Sequence, residues 1–388
     1  MNLEKISEIQ KAIRQEELDG WLFCNFRHRD RLADEILGIN PETLNSRLWF
    51  YAVPVSGEAQ CILHAIEKDA LGVGSDAFPG QVSIYSSREE LLEFLRRLGG
   101  KKWGCHFSRS ITAISFLDAG TAALLEEAGL ELVSAAGLIQ RFKGLLDSEG
   151  IESHERAARH LYEIVDMAWA AVRKAFDSNS PVYEDDIQKL MMGEITKRGL
   201  IADHPLIVAS GRNTGNPHYE TKRVMFAVND VILFDLWGKE PGGIYADISW
   251  TGVYARCAPP EVEKAFSALV EAREGAIKLI TEELAAGRRP MGADVDRRAR
   301  QIIIDRGFAS GICHRTGHGI DTEVHGSGVN IDSVEFPDSR LLLDGSCFSL
   351  EPGVYFKNFG MRTEVDVYIK NGKPIVSGKD RQFTLMHC

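Results

Sequence analysis

Five potential metal ligands follow one another along the C-terminal half of this 388-residue chain: Asp235, Asp247, His318, Glu351 and Glu364. Four carboxylates and one imidazole make a hard, anionic donor set. It suits two divalent cations that share bridging oxygens better than it suits a single zinc ion. Phe234-Asp235-Leu236-Trp237 and Leu350-Glu351-Pro352 put carboxylates inside apolar, strand-like stretches. An unpaired charge buried there is costly, so a cation or an arginine must neutralise it. Arg362 is the arginine close by in sequence. Any one of these acids, taken alone, reads as a turn or surface group, so the argument rests on the set.

Histidines cluster in the same region. His314, His318 and His325 all fall between Cys313 and Gly326. His314 and His318 have the i, i+4 spacing of a zinc-binding HExxH helix, but the glutamate of that motif is missing. Gly317 and Gly319 also disfavour a helix, which rules that motif out. His218 lies 19 residues after Gly199, and His325 lies 18 after Gly307, which suggests a matched pair.

The elements that must position these groups repeat. A long helix over 151–176, Pro181, a second helix over 185–198 and Gly199 are followed by strands. The same order recurs as a helix over 261–286, Pro290, a helix over 294–306 and Gly307. A repeat of this kind predicts two similar halves about a pseudo-two-fold axis, their strands forming one antiparallel sheet covered by helices. Asp235 and Asp247 are twelve apart on a predicted hairpin, and Glu351 and Glu364 are thirteen apart on another. The carboxylates therefore occupy corresponding places and should face one another across the axis.

Residues 1–145 read as a separate, smaller α/β unit, and 150–388 as the domain that holds the repeat. Helices near 3–17, 89–98 and 117–128 alternate with strands near 21–24, 48–55, 60–65, 82–85 and 103–107, a pattern for a mostly parallel or mixed sheet. Nothing in this unit converges on chemistry; His28 and His64 are isolated and read as satisfied or solvent-facing. The composition, 44% apolar and 26% charged, is that of an ordinary globular protein. A net charge of −11 disfavours nucleic acid and anionic membrane as partners. No signal peptide and no apolar run of membrane-spanning length is expected. Seven scattered cysteines, never spaced as CxxC, read as free, buried thiols in a reducing cytoplasm, with no catalytic role for Cys313 or Cys347.

Taken in order, the motifs resemble a known family. They are Asp235, Asp247-Ile248-Ser249-Trp250-Thr251, Gly317-His318-Gly319, Leu350-Glu351-Pro352-Gly353 and Arg362-Thr363-Glu364. Together they resemble the pita-bread metallopeptidases, which include methionine aminopeptidase, aminopeptidase P and prolidase. The N-terminal unit resembles the extra domain of aminopeptidase P, prolidase and creatinase. The resemblance implies a creatinase-like N-terminal α/β domain followed by a pita-bread catalytic domain of α+β type. It implies two divalent cations, Mn²⁺ foremost, with Co²⁺, Fe²⁺ or Zn²⁺ as alternatives. Asp235 would bind one ion, His318 and Glu351 the other, and Asp247 and Glu364 both, with a hydroxide between the ions as nucleophile.

The same resemblance makes Glu351 the general base, with His218 and His325 on the substrate carbonyl and oxyanion. His314 would line the pocket beyond the scissile bond, and Arg362 would orient the ligands. A short peptide with an Xaa-Pro first bond is the implied substrate, cleaved by aminopeptidase P-like or dipeptidase activity, and a cytoplasmic homodimer the implied form. Trp250, Trp237 and Asp321 depart from an arginine, a small residue and a glycine common in the family, which bears on the shape of the substrate pocket. Two other readings are a creatinase-like hydrolase of a small guanidino compound and a pita-bread protein-binding module without catalysis. The complete ligand set argues against both.

Overall fold

The computed structural model describes residues 1–68, 71, 78–378 and 381–388. The chain divides into two compact units, Met1–Lys143 and Gly144–Cys388.

The first unit runs α1 (Leu3–Gln15), β1 (Gly20–Asn25), α2 (Arg31–Leu37), β2 (Trp49–Pro54), β3 (Gln60–His64), β4 (Gln81–Tyr85), α3 (Arg88–Arg97), β5 (Lys102–Cys105), α4 (Ala119–Glu127), β6 (Glu131–Ser134) and α5 (Ala136–Phe142). Among the described residues its six strands form one sheet in the order β4-β3-β2-β1-β5-β6. Strand β2 runs antiparallel to β1 and β3, and the remaining pairings are parallel. The expected mixed sheet is therefore present. Period-two alternation sorts its core. Trp21, Phe23, Trp49 and Tyr51 pack with α1, α2 and α5, while Leu22, Phe50 and Ala52 pack with α3 and α4. Helices α2 and α5 and strand β6 were not anticipated; each is seven residues or shorter and carries too few periods to stand out. His28 is satisfied by Asp34 at 2.8 Å and the Thr43 carbonyl at 2.6 Å.

The second unit shows the repeat. Its first half is α6 (Ser148–Asp177), α7 (Glu184–Lys197), β7 (Ile207–Ser210), β8 (Val231–Gly238) and β9 (Ala246–Val253). The second half is α8 (Pro260–Ala285), α9 (Gly292–Asp305), β10 (Cys347–Leu350), β11 (Gly353–Tyr355), β12 (Gly360–Arg362), β13 (Val365–Lys370) and β14 (Lys373–Val376), with β15 (Met386–His387) closing the chain. Helices α7 and α9 are both 14 residues long, and the residue before each pairs with a distant segment: Tyr183 with Met225, Met291 with Leu341. Strands β7, β8 and β9 are antiparallel, and β15 adds to β9 in parallel. In the second half β10-β13-β14 and β11-β12 are antiparallel. The halves meet where Glu364 N–H donates to the Ser249 carbonyl at 3.1 Å.

Each half buries one face of its strands under its own long helix. Ile232, Phe234, Leu236 and Ile248 pack with α6; Phe348, Leu350, Val365 and Val367 pack with α8. Trp169 of α6 is fully buried, its ring centroid 4.9 Å from that of Phe234. Its indole also lies against Gly252 of β9, where a Cβ would come within 2.3 Å of it. A glycine is therefore needed for α6 to reach the sheet. Trp169→Ala should lower the stability of this unit by about 3–5 kcal/mol through the cavity it leaves. Urea unfolding followed by circular dichroism checks this, and an unchanged midpoint would contradict the packing described.

Candidate metal centre

With the apolar side chains of β8 turned to α6, the opposite face carries Asp235 and Trp237. The β8–β9 register sets Asp235 opposite Ser249 and Trp237 opposite Asp247, so the two carboxylates are diagonal neighbours. In the second half the pairing Leu350–Val365 continues in step to Gly353–Arg362, which sets Glu351 directly opposite Glu364. The repeat is therefore approximate at the ligands: a diagonal pair meets a directly opposed one.

The cluster is buried throughout. Asp235, Asp247, His318, Glu351 and Glu364 are all at most 9% exposed. Ligand atoms of Asp247, His318 and Glu364 lie within 4.8 Å of one another. Glu351 Oε1 is 3.5 Å from His318 Nε2, and Asp247 Oδ2 is 3.6 Å from the same nitrogen. These spacings are too long for hydrogen bonds and leave His318 Nε2 facing two carboxylate oxygens. His318 Nδ1, 3.3 Å from the Gly319 carbonyl, is the side that carries the proton.

Asp235 and Glu351 join the cluster through Arg362. The guanidinium contacts Asp235 Oδ2 through Nη2, and lies 3.7 Å from Glu351 Oε2 and 3.8 Å from Glu364 Oε2. Ser249 Oγ ties the halves together, 2.6 Å from Asp235 Oδ1 and 2.7 Å from Glu364 Oε2, while accepting from Arg362 Nε at 2.8 Å. A hydroxyl has one proton, so serving both carboxylates requires that one of them be protonated.

The electrostatics agree with that crowding. Burial, then Asp235, Asp366 and Glu351, pushes the Asp247 carboxyl well above its usual range. Burial, then Asp247 and Glu351, does the same to Glu364. Burial raises Glu351 to about 7 against the pull of Arg362. His318 is driven the other way, well below its ordinary value, by burial and then by His325 and Arg315. Acids that resist ionising together beside a neutral imidazole are what a divalent cation would relieve. Asp247 Oδ1, buried without a hydrogen-bond partner among the described residues, supplies a free donor oxygen. The donor set therefore fits divalent cations.

The remaining expected residues surround this cluster. The His325 ring stands 4.2 Å from that of His318 in an edge-on arrangement. Burial, with Arg315 and His218 next, lowers His325 to about 4, so it is neutral at working pH and His218 lies within electrostatic range of it. Both His218 and His325 keep a solvent-exposed edge. His314 is occupied on both sides: Nδ1 bonds the Arg315 carbonyl at 2.6 Å and Nε2 the Tyr355 hydroxyl at 2.9 Å. Through Tyr355, 3.5 Å from Arg362 Nη1, it is linked to the cluster. Cys347 is buried, whereas Cys313 is exposed, contrary to the expectation of buried thiols near the site.

Several residues that shape the site were missed from sequence. Asp366, 1% exposed, accepts from the Asp247 backbone N–H at 2.8 Å across the seam. Ser249 and Asp366 each follow a ligand by two positions, the period that keeps side chains on one strand face, and that signal was available. Asp321, already noted as a departure in the sequence, closes the loop around His325 by accepting from the Ser327 N–H at 2.9 Å and hydroxyl at 2.8 Å. Trp250, flagged for the substrate pocket, lies on the helix-covered face of β9 and packs edge-on against Tyr162 at 6.0 Å. Trp237 does share the ligand face, its indole N–H donating to Asp203 at 2.7 Å.

His314 gives the site a defined response to acid. Burial and then Arg362 lower it to about 4 in the folded protein, against about 6.5 unfolded. Its folded value is the lower one, so the unfolded chain binds the proton first. The resulting stability is complete above about pH 6.5 and is lost as the pH falls toward 4, by roughly 1–3 kcal/mol. His314→Gln should flatten the fall in urea midpoint between those pH values, measured in EDTA; an equal slope in both proteins would refute this.

Comparison with known proteins places the chain. Residues 152–371 match metallopeptidase family M24. A putative dipeptidase, YkvY of Bacillus subtilis (strain 168), is 27% identical over 243 residues, 62% of each chain. An Xaa-Pro dipeptidase of Lactobacillus delbrueckii subsp. lactis is 33% identical over 159 residues, 41% of this chain and 40% of that one. The matched stretches thus span less than two thirds of these relatives' lengths. The crystal structure of dipeptidase PepE from Mycobacterium ulcerans superposes with a TM-score of 0.73 at 21% identity, over 99% of this chain and 97% of that one. At that identity the likeness is one of fold, and it covers both units of the chain, in keeping with a pita-bread fold for the second. The profile match covers more than half of the sequence and spans all five buried ligand candidates, and on that ground the chain belongs to metallopeptidase family M24.

Proposed function

We propose that this chain is a dinuclear metal-dependent peptidase that hydrolyses the first peptide bond of short peptides, with Xaa-Pro as the preferred bond. The observation that carries this reading is the buried donor cluster itself, in which Asp247 Oδ1 has no hydrogen-bond partner and three ligand atoms lie within 4.8 Å. Two divalent cations bound there would polarise the scissile carbonyl and make water acidic enough to ionise near neutrality. Asp235, Asp247, His318, Glu351 and Glu364 would hold them, with Asp247 and Glu364 shared.

The protein's own groups then have separate tasks. Glu351, raised to about 7, can accept a proton and return it near neutral pH, the requirement for a base that becomes the acid for the leaving nitrogen. His325, neutral beside His318, can donate a hydrogen bond to the substrate carbonyl as negative charge develops there, with His218 beside it. Arg362 orients Asp235 and Glu351. His314 spends both ring nitrogens on Tyr355 and Arg315, so its task is to hold the pocket wall.

Preference for Xaa-Pro draws support from the relative named Xaa-Pro dipeptidase. An Xaa-Pro amide lacks an N–H and has a fixed φ, so a peptidase that binds substrates as extended strands handles it poorly. Mn²⁺ as the ion, a cytoplasmic homodimer, and the division into a creatinase-like domain over 1–145 and a catalytic domain over 150–388 belong to the same proposal. Among the described residues no helix is long and apolar enough to cross a membrane.

The protein stripped with EDTA should be inactive and regain Xaa-Pro hydrolysis, followed by mass spectrometry, when Mn²⁺ or Co²⁺ is added. Metal binding without any peptide cleavage would defeat the reading. Glu351→Gln should keep the fold and most bound metal while kcat falls by about 10²–10⁴; near-normal turnover would remove Glu351 from the base role.

A further inference from the structure

The N-terminal unit holds a cavity of about 720 Å³ that includes none of the ligand candidates. That is the size of a small-molecule site. It lies at the end of the sheet where β1 finishes at Asn25, β3 at His64 and β4 at Tyr85. These three strands run the same way, because β2 is antiparallel to both β1 and β3 while β4 is parallel to β3. In open α/β sheets, small ligands bind in the crevice outside the carboxyl ends of such strands. Leu48, Tyr85, Leu91 and Leu124 give this cavity an apolar wall.

Three arginines line the same cavity, Arg27, Arg47 and Arg88, against a single acid, Glu127. Glu127 is committed to Arg88, whose Nη1 lies 3.2 Å from Oε1 and whose Nη2 contacts Oε2. The other two guanidiniums meet no carboxylate among the described residues. Arg27 stands over the Phe26 ring, 5.4 Å from its centroid. Arg47 Nη1 donates to the Ser46 carbonyl at 2.9 Å and to its hydroxyl at 3.2 Å.

Both arginines are fixed at the backbone. Arg27 and His28 hold left-handed φ values of 57° and 53°, and Asn45 Oδ1 accepts from the Arg27 N–H at 2.8 Å. Successive non-glycine residues in that region are strained, and such strain collects where ligands bind. The Arg47 N–H donates to Glu67 at 2.9 Å, and Glu67 also takes the N–H and hydroxyl of Ser46. Its carboxylate is therefore occupied by donors other than the guanidinium. His64 adds a further donor: Nδ1 accepts from the Ile66 N–H at 3.2 Å, which leaves a proton on Nε2. In a chain of net charge −11, two guanidiniums without an acid beside an apolar wall are complementary to an organic anion.

We propose that this cavity binds a small phosphomonoester whose organic part is apolar. The planar forks of Arg27 and Arg47 match phosphate oxygens, and a phosphate offers these donors more acceptors than a carboxylate does. The organic part covers the leucine and tyrosine wall. Free phosphate would leave that wall in water, and a neutral ring would leave the guanidiniums unpaired. The assignment does not depend on the peptidase reading.

Phenyl phosphate titrated calorimetrically into the full-length protein should bind as one molecule per chain, with Kd below about 1 mM. Inorganic phosphate and benzoate should each bind at least roughly ten-fold more weakly, and benzyl alcohol not at all. Joint replacement Arg27→Gln and Arg47→Gln should weaken phenyl phosphate at least roughly ten-fold. Ala123→Trp adds an indole at an exposed residue of α4 that lines the cavity, and should abolish binding. Circular dichroism checks that the variants fold, and Ala123→Trp still decides the question if the arginine variant does not. EDTA should leave the binding unchanged. Four results would each overturn the assignment. They are no saturable binding, an affinity matched by inorganic phosphate or benzoate, undiminished affinity in the folded variants, and loss of binding in EDTA, which would move the ligand to a metal ion.

Discussion

The constraint on which the second unit depends is the repulsion among carboxylates held together away from water. Asp235, Asp247, Glu351, Glu364 and Asp366 converge on one seam, and a single guanidinium, that of Arg362, contacts three of them. Such a cluster is not a source of stability, because each buried charge costs desolvation before it gains attraction. The packing elsewhere must tolerate it. It does so with two apolar layers, one under α6 and one under α8, that hold the strands whatever the state of their polar face. The raised affinities of Asp247 and Glu364 for protons reflect the same repulsion, and proton uptake and cation binding are two ways of relieving it.

The seam also explains why the repeat is approximate. An exact two-fold would bring the same pair geometry from both sides. Here the diagonal pair Asp235 and Asp247 confronts the directly opposed pair Glu351 and Glu364, and His318 enters from a loop with no counterpart ligand in the first half. The two ions proposed for this site would occupy positions unequal in charge and in ligand type. Unequal positions suit a reaction in which one side must bind the attacking oxygen and the other the developing oxyanion.

Most of this architecture was legible because periodicity carries long elements well. The paired helices, the repeat and the strand hairpins all follow from patterns longer than ten residues. What was illegible depends on register, which a sequence pattern leaves free by one step. Trp250 and Trp237 read alike as bulky residues near ligands, yet one residue's shift in facing sends Trp250 to Tyr162 and Trp237 to the ligand side. Ser249 and Asp366 were within reach of the same logic, since each stands two beyond a ligand. Tyr355 was not, because its link to His314 and Arg362 is made in space by β11 folding back beside the loop. In the N-terminal unit the short elements α2, β6 and α5 fell below the length at which alternation can be recognised.

The loop around His318 shows how an irregular segment becomes part of a fixed site. It contains little regular structure, so its precision must come from side chains bonded to backbone. Asp296 receives Thr316 and Ser333, Asp338 receives Asn330 and Arg340, and Asp321 receives Glu323 and Ser327. Gly317 and Gly319 let the backbone pass where a Cβ would strike the Ser349 carbonyl at 2.0 Å or Gly328 at 2.6 Å. Three acids are thus used as scaffolding around the acids proposed to bind ions. The distinction lies in their partners: the scaffold acids are saturated by N–H and O–H donors, whereas Asp247 keeps an oxygen free.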